Sequence, residues 1–146
     1  MLKSIPAAFT PDLLWALAAM GHGDRLAIVD RNYPAHSLHS RVLPLAGHDT
    51  VQAATLITSL MPIDDYIEPA AFWMIPDGGS EGEYEAHTAF RAVVEASEGR
   101  PVPFESIERT RFYAEARSAF AVITTTDTRP FSCFLLTKGV INVPDI

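Results

Sequence analysis

Apolar residues fall along this chain in two rhythms. Leu13, Leu14, Trp15, Leu17, Ala18 and Met20 recur at helical spacing behind Thr10-Pro11-Asp12. Thr10 suits the N-cap and Pro11 the first helical position, and Gly21 marks the end. Residues 26–29 (Leu-Ala-Ile-Val) then form a run too short for a helix and apolar at every position, the signature of a strand buried on both faces. Residues 70–75 (Ala-Ala-Phe-Trp-Met-Ile) repeat it, and residues 42–45 predict a further strand. A helical pattern over 51–61 stops at Pro62, with Asp49 or Thr50 as its cap. Another runs over about 83–98 and closes at Gly99 and Pro101.

Between these segments lie residues 31–40, which lack an apolar period and predict a loop, and Pro76-Asp77-Gly78-Gly79-Ser80, which predicts a turn. Beyond a proline-punctuated link, residues 112–118 suit a short helix. Residues 120–126 and 131–137 suit two late strands joined over 127–130. Strands alternating with helices predict an α/β layered fold, one domain over residues 1–146, with a mainly parallel central sheet flanked by helices. The late strand pair is expected to add an antiparallel edge.

Composition narrows the function. The 146 residues are 48% hydrophobic and 20% charged, enough apolar material for a core. Eleven basic against 18 acidic residues leave a net charge of −7, which opposes a phosphate backbone or an anionic membrane surface. No apolar stretch of about 18 residues predicts a membrane span, and the N-terminal residues lack the apolar block of a signal peptide. With Cys133 as the single cysteine, no internal disulfide can form, and a cytoplasmic setting is the default expectation.

The chain has no phosphate-cradling glycine motif, no nucleophile elbow and no H-E-x-x-H. Cys133 falls within a predicted strand, where a buried, inert thiol is expected. What remains is a proton carrier and some carboxylates. His22 sits between Gly21 and Gly23 at the junction of a helix and a buried strand, where small ligands can approach the imidazole. The alternative is a C-cap whose charge favours the helix dipole. Asp30 follows the buried strand, where α/β sheets place ligand-binding groups; the alternative is a cap or Asx turn for the Asn32-Tyr33-Pro34 loop.

Several segments together resemble the fucose mutarotase and ribose pyranase family: Met20-Gly21-His22-Gly23-Asp24, Asp30 with Asn32-Tyr33-Pro34-Ala35-His36, and Leu135-Leu136-Thr137-Lys138-Gly139-Val140. The resemblance spans essentially the whole chain, and residues 109–122 place it nearer the fucose branch. It implies an α/β fold assembled into ring-based homo-oligomers, usually decamers, and an enzyme without cofactor or metal that interconverts the anomers of a reducing monosaccharide. His22 then matches the proton-transferring histidine. Asp30 matches a sugar-binding acid, and Arg109 a substrate contact, so its guanidinium is assigned to sugar rather than to a surface ion pair. Where the family pattern reads tyrosine, any residue, asparagine, this chain reads Phe131-Ser132-Cys133, which places Phe131 and Cys133 at substrate-contacting positions without the usual hydrogen-bonding groups.

Mutarotation needs only proton carriers, which agrees with the residues found. Tyr33, Phe112, Tyr113 or Phe131 are candidates for an apolar sugar platform. The expected activity is therefore isomerisation of L-fucose or a related aldose, with a pyranase, a non-catalytic sugar-binding protein, and a metal-dependent hydrolase built on His22, His36 and His39 as alternatives. Because His22 precedes the first buried strand and Asp30 follows it, eight residues at about 3.3 Å each separate them by up to roughly 26 Å. The expectation is a site shared between subunits, His22 from one and Asp30 from its neighbour.

Overall fold

The apolar run after His22 is strand β1, Arg25–Val29, and its side chains divide between two cores. Leu26 and Ile28 point into one hydrophobic cluster, Ala27 and Val29 into the other. This alternation is why no polar residue interrupts the run. In this computed structural model, which describes residues 1–79 and 84–142, β1 lies inside a six-stranded sheet of order β2-β5-β1-β6-β3-β4. Its other strands are β2 (Val42–Leu45), β3 (Ala71–Ile75), β4 (Phe104–Glu108), β5 (Ala121–Thr125) and β6 (Phe134–Thr137).

Helices cover both faces. On one side α1 (Pro11–Ala19), α3 (Thr50–Thr58) and α4 (Glu85–Glu98) contribute Leu13, Ala53, Ile57, Phe90 and Val94 to the larger cluster. On the other, α5 (Arg109–Ala116) contributes Phe112 and Ala116, and the single turn α2 (Ala35–Leu38) contributes Ala35. The fold class is the expected one, an α/β layered sheet flanked by helices. Helix ends obey local chemistry: Thr10 accepts the N–H of Leu13, and Asp49 with Gln52 forms a reciprocal capping box. Gly99 takes the left-handed conformation (φ 68°) that closes α4.

The structure corrects four expectations. The late strands are not neighbours: β5 pairs in parallel with β1 and β2, whereas β6 enters the middle of the sheet, antiparallel to both β1 and β3. The antiparallel element is therefore one central strand, buried at every residue, and not an edge pair. Only the second half of the 131–137 run is strand, because Phe131 adopts a left-handed backbone (φ 58°) that extended structure cannot include. The proline-punctuated link hides β4, which among the described residues is an edge strand paired only with β3, and whose Glu105 and Glu108 suit an open edge and mask its apolar alternation. Finally, the 31–40 loop contains α2, too short to show a period. Among the described residues no helix is long and apolar enough to cross a membrane.

Candidate functional site

At the carboxyl end of β1 the chain leaves the sheet through Asp30. Its Oδ1 accepts the backbone N–H groups of Asn32 at 3.0 Å and Tyr33 at 3.1 Å, an Asx turn that fixes the following loop. Asp30 is 7% exposed. Burial pushes its carboxyl above the usual range, although the hydrogen bonds from Asn32, Cys133 and Tyr33 oppose the rise. Cys133 lies alongside, fully buried, and burial together with the Asp30 charge pushes its thiol well up. The thiol therefore stays protonated and serves as a weak donor, not as a nucleophile. Asp30 thus builds the turn and also lines a cavity.

That cavity, about 180 Å³, is lined by Asp30, Tyr33, Arg109, Tyr113, Phe131 and Cys133 among others. It is smaller than the range of about 300–1,000 Å³ of drug-sized ligand sites, which suits a single small polar molecule. Arg109 opens α5 where β4 ends. Contrary to the expected assignment it does form an ion pair: Nη2 donates to Asp77 Oδ2 at 2.6 Å, while the guanidinium carbon lies 5.4 Å from the centre of the Tyr113 ring. Asp77 also accepts the N–H of Thr110, and that bond, with Arg109, holds its carboxyl below the usual range. The pair anchors one side of a planar group that still borders the cavity. Among the four aromatic candidates, Tyr33, Tyr113 and Phe131 line the cavity, whereas Phe112 is fully buried core.

The strained Phe131 backbone has a support that the sequence does not advertise. Nε2 of His87 donates to the Phe131 carbonyl at 2.8 Å, and the His87 ring stacks on Trp73 with centres 4.8 Å apart and planes 9° apart. His87 is 2% exposed, and burial pushes its imidazole below the usual range. Tyr33 is held similarly, its hydroxyl 2.8 Å from Nε2 of His39. Ser132, between two cavity residues, is buried away from that lining.

His22 lies at the opposite end of β1. The C-cap of α1 is Met20, and the helix's last carbonyls are taken by the Lys138 ammonium, 2.7 Å from Leu17 O and 2.6 Å from Met20 O. The histidine is thus not needed as a cap. Gly23 (φ 87°) turns the chain and donates to Lys138 O, so the segment after β6 clamps this turn. The His22 side chain is half exposed, and Nε2 lies 2.9 Å from Oδ1 of Asp64, a carboxylate 42 residues on and itself 2% exposed. Burial pushes the Asp64 carboxyl up, but hydrogen bonds from His22 and the Tyr66 N–H outweigh it and leave the carboxyl below the usual range. The Tyr66 ring centre is 5.2 Å from that of His22.

The structure thus brings Asp30, Arg109, Phe131 and Cys133 together and leaves His22 outside their cavity. The histidine triplet does not assemble either, since His22 meets Asp64 while His39 meets Tyr33. Among the described residues no group of three or more histidine, cysteine, aspartate or glutamate side chains is placed to hold a metal ion. A larger hollow of about 300 Å³, lined by Leu2, Ile5, Phe9 and Leu14 among others, has only apolar side chains in its lining and offers a sugar no side-chain hydrogen bond.

The chain is similar to known proteins over nearly its full length. The pattern defining the RbsD / FucU transport protein family matches residues 3–141. An L-fucose mutarotase of Actinobacillus pleuropneumoniae serotype 5b (strain L20) is 34% identical over 143 residues, covering 98% of this chain and 99% of that protein. FucU from Bifidobacterium longum superposes with a TM-score of 0.88 at 30% identity, over 95% of this chain and 99% of that one. The fucose mutarotase of Streptococcus pneumoniae, solved in complex with L-fucose, gives a TM-score of 0.86 at 29% identity, over 96% and 99% of the two chains.

Proposed function

The chain belongs to the RbsD / FucU transport protein family, and on that premise we propose that it interconverts the anomers of L-fucose or a related aldose by acid/base-assisted ring opening, without a cofactor. The observation that carries the reading is the small cavity at the carboxyl end of the sheet, where the Asp30 carboxylate, the Arg109 guanidinium and aromatic faces converge as sugar recognition requires.

In the reaction, a base takes the proton of the anomeric hydroxyl. The freed electron pair forms the carbonyl at C1 while the bond from C1 to the ring oxygen breaks, its pair passing to that oxygen, which takes a proton. Rotation about C1–C2 and reversal of these steps close the other anomer. His22 is the proton carrier, since an imidazole both accepts and donates near neutral pH. Asp30 and Arg109 orient the sugar hydroxyls. Phe131 and Cys133 border the same sugar, and because neither replaces the hydrogen bonds of a phenol and an amide, they favour a second reading in which the preferred sugar is not fucose or is bound without turnover.

His22 and Asp30 lie at opposite ends of β1, so one subunit does not bring both to one monosaccharide. The proposal is a homo-oligomer, a decamer by family resemblance, in which His22 of one subunit completes the cavity of the next. Exposed Tyr66 and Ile67, 65% and 52% accessible beside His22, support such a contact. The test is magnetisation transfer between anomeric protons across a panel of aldoses. His22→Ala and Asp30→Ala homo-oligomers should each lose on the order of 100-fold or more. Exchanging their subunits should restore activity. Mixed oligomers, identified by mass spectrometry, that recover none would refute the shared site; full activity in His22→Ala would remove His22 from catalysis.

A further inference from the structure

Phe131 is a bulky residue in a left-handed backbone (φ 58°), a conformation that carries strain and persists only where its surroundings hold it. It also lines the cavity at the carboxyl end of the sheet, beside Pro130 and Cys133. The segment that carries it is tied on either side. Before it, the Asp127 carboxylate accepts the Thr50 N–H and the Arg129 Nε–H, each at 3.0 Å. After it, the Met74 N–H donates to Cys133 O at 3.0 Å. Between these ties the Phe131 carbonyl faces Nε2 of His87, 2.8 Å away.

The place of His87 on α4 suits it to hold that carbonyl. A carbonyl only accepts hydrogen bonds, so Nε2 carries the hydrogen, and burial pushes the imidazole below the usual range and keeps it neutral. The ring has no room to turn away. Trp73 stacks on one face with centres 4.8 Å apart, and the rings of Tyr84 and Phe134 stand at 4.9 and 5.6 Å. Trp73 is itself fixed, since its Nε1–H donates to Ser106 Oγ at 2.7 Å and its ring stacks on Phe104. Tyr84, the N-cap of α4 and three residues before His87, packs its ring 5.6 Å from that of Phe131. The start of α4 therefore holds the Phe131 carbonyl through His87 and the Phe131 ring through Tyr84. His87 is 2% exposed and lies outside the cavity lining.

We infer that His87 is a positioning residue for sugar binding: by holding the Phe131 carbonyl it keeps that backbone left-handed and the Phe131 ring at the cavity wall, and so governs affinity for a sugar it does not touch. The inference rests on this cavity being the sugar site. Rotating Phe131 towards the extended conformation would swing its carbonyl off Nε2 and displace the ring, changing the wall offered to the sugar. His22, at the far end of β1, would be undisturbed. The loss should therefore fall on KM and not on kcat.

The test uses the assembled full-length protein and, from a panel of L-fucose, L-galactose, D-arabinose and D-ribose, the sugar that the wild type turns over fastest. His87→Phe keeps a ring on Trp73 but donates nothing to Phe131, whereas His87→Gln gives up the stack and keeps a donor. His87→Phe should raise KM about 10-fold with kcat within about 2-fold of wild type. His87→Gln should keep KM within about 2-fold, although both substitutions lower Tm. Beside Phe131→Gly, where glycine takes the left-handed conformation without strain and no ring remains to be placed, His87→Phe should change KM by less than about 2-fold. An unaltered KM in His87→Phe, equal rises in His87→Phe and His87→Gln, or a rise that persists in full beside Phe131→Gly overturns the inference. If His87→Phe does not fold, the wild type decides: saturation with the same sugar should shift the nitrogen-15 resonance of His87 Nε2, and an unmoved resonance overturns the inference. A wild type that neither binds nor turns over any sugar of the panel removes the sugar site and the inference with it, whereas normal turnover with KM indifferent to His87→Phe removes only the role of His87.

Discussion

The two ends of β1 are built on different principles. At the carboxyl end, Asp30, Arg109 and three aromatic rings surround a concave space, and their positions follow from the parallel strands whose ends splay into loops there. At the amino end, an accessible imidazole stands on a buried carboxylate beside exposed Tyr66, Ile67 and Ile141. On the proposed function, one end recognises the sugar and the other carries a proton. Separating them lets each be made rigid by its own surroundings, and it leaves the amino end with apolar surface suited to contact with another subunit.

The comparison is broken most severely from inside the protein at Gly139. An added Cβ would lie 2.8 Å from Asp64 Cα and from Ile63 O, and both contacts are backbone that cannot rotate away. Gly139→Ala should therefore displace Asp64 and with it His22. The expected result is a loss of roughly 1–3 kcal/mol in stability and at least about 10-fold in kcat, while sugar affinity at the carboxyl end, read by titration calorimetry, stays close to wild type. Equal damage to binding and turnover would show that the two ends are mechanically coupled.

Arg109→Lys disturbs the other end and should be milder. The lysine keeps the charge near Asp77 but loses the planar fork that both pairs with Asp77 and borders the cavity. KM should rise about 5- to 10-fold, corresponding to one net hydrogen bond of about 1 kcal/mol, with Tm unchanged because the ion pair is half exposed. Unaltered kinetics on the best sugar would assign Arg109 to the Asp77 pair alone.

Sequence patterns carry the two ends unequally. The carboxyl end was legible because β1 is apolar from Leu26 through Val29 and then meets Asp30, and the motif containing Asp30 and Asn32 closes on itself as an Asx turn within three residues. Arg109 was found only through resemblance; β4, which delivers it, is an edge strand whose charged residues hide its period. At the amino end His22 was visible between its glycines, but Asp64 was not, because the pairing spans 42 residues and no local rule marks one aspartate in a loop. His87 was hidden for the same reason. Its amphipathic helix was evident, yet the partner is the carbonyl of Phe131, whose left-handed backbone lies in what reads as continuous strand.

The smallest expected effect distinguishes the ends by acidity. His87 and His39, which hold Phe131 and Tyr33 near the cavity, are both pushed below the usual histidine value of 6.5, by burial in each case and by Arg117 as well for His39. The folded protein resists protonating them, while the unfolded chain takes up protons as pH falls through about 6.5. Their contribution to stability is therefore complete above that pH and declines below it. Asp64 at the amino end behaves differently: its carboxyl is held below the ordinary 3.8, so its contribution survives until pH falls beneath that value. Between neutrality and pH ~5, acidification should thus weaken the contacts that His87 and His39 make at the cavity end and spare the carboxylate beneath His22. At fixed protein concentration, Tm should fall over that range by a few degrees. His87→Gln keeps a hydrogen-bond donor for Phe131 but cannot be charged, so its Tm should start lower through the lost stacking on Trp73 and fall less steeply. Adding His39→Gln should flatten the profile further. A wild-type Tm that holds constant down to pH ~5, or a slope that both substitutions leave intact, would place the acid sensitivity outside the cavity end.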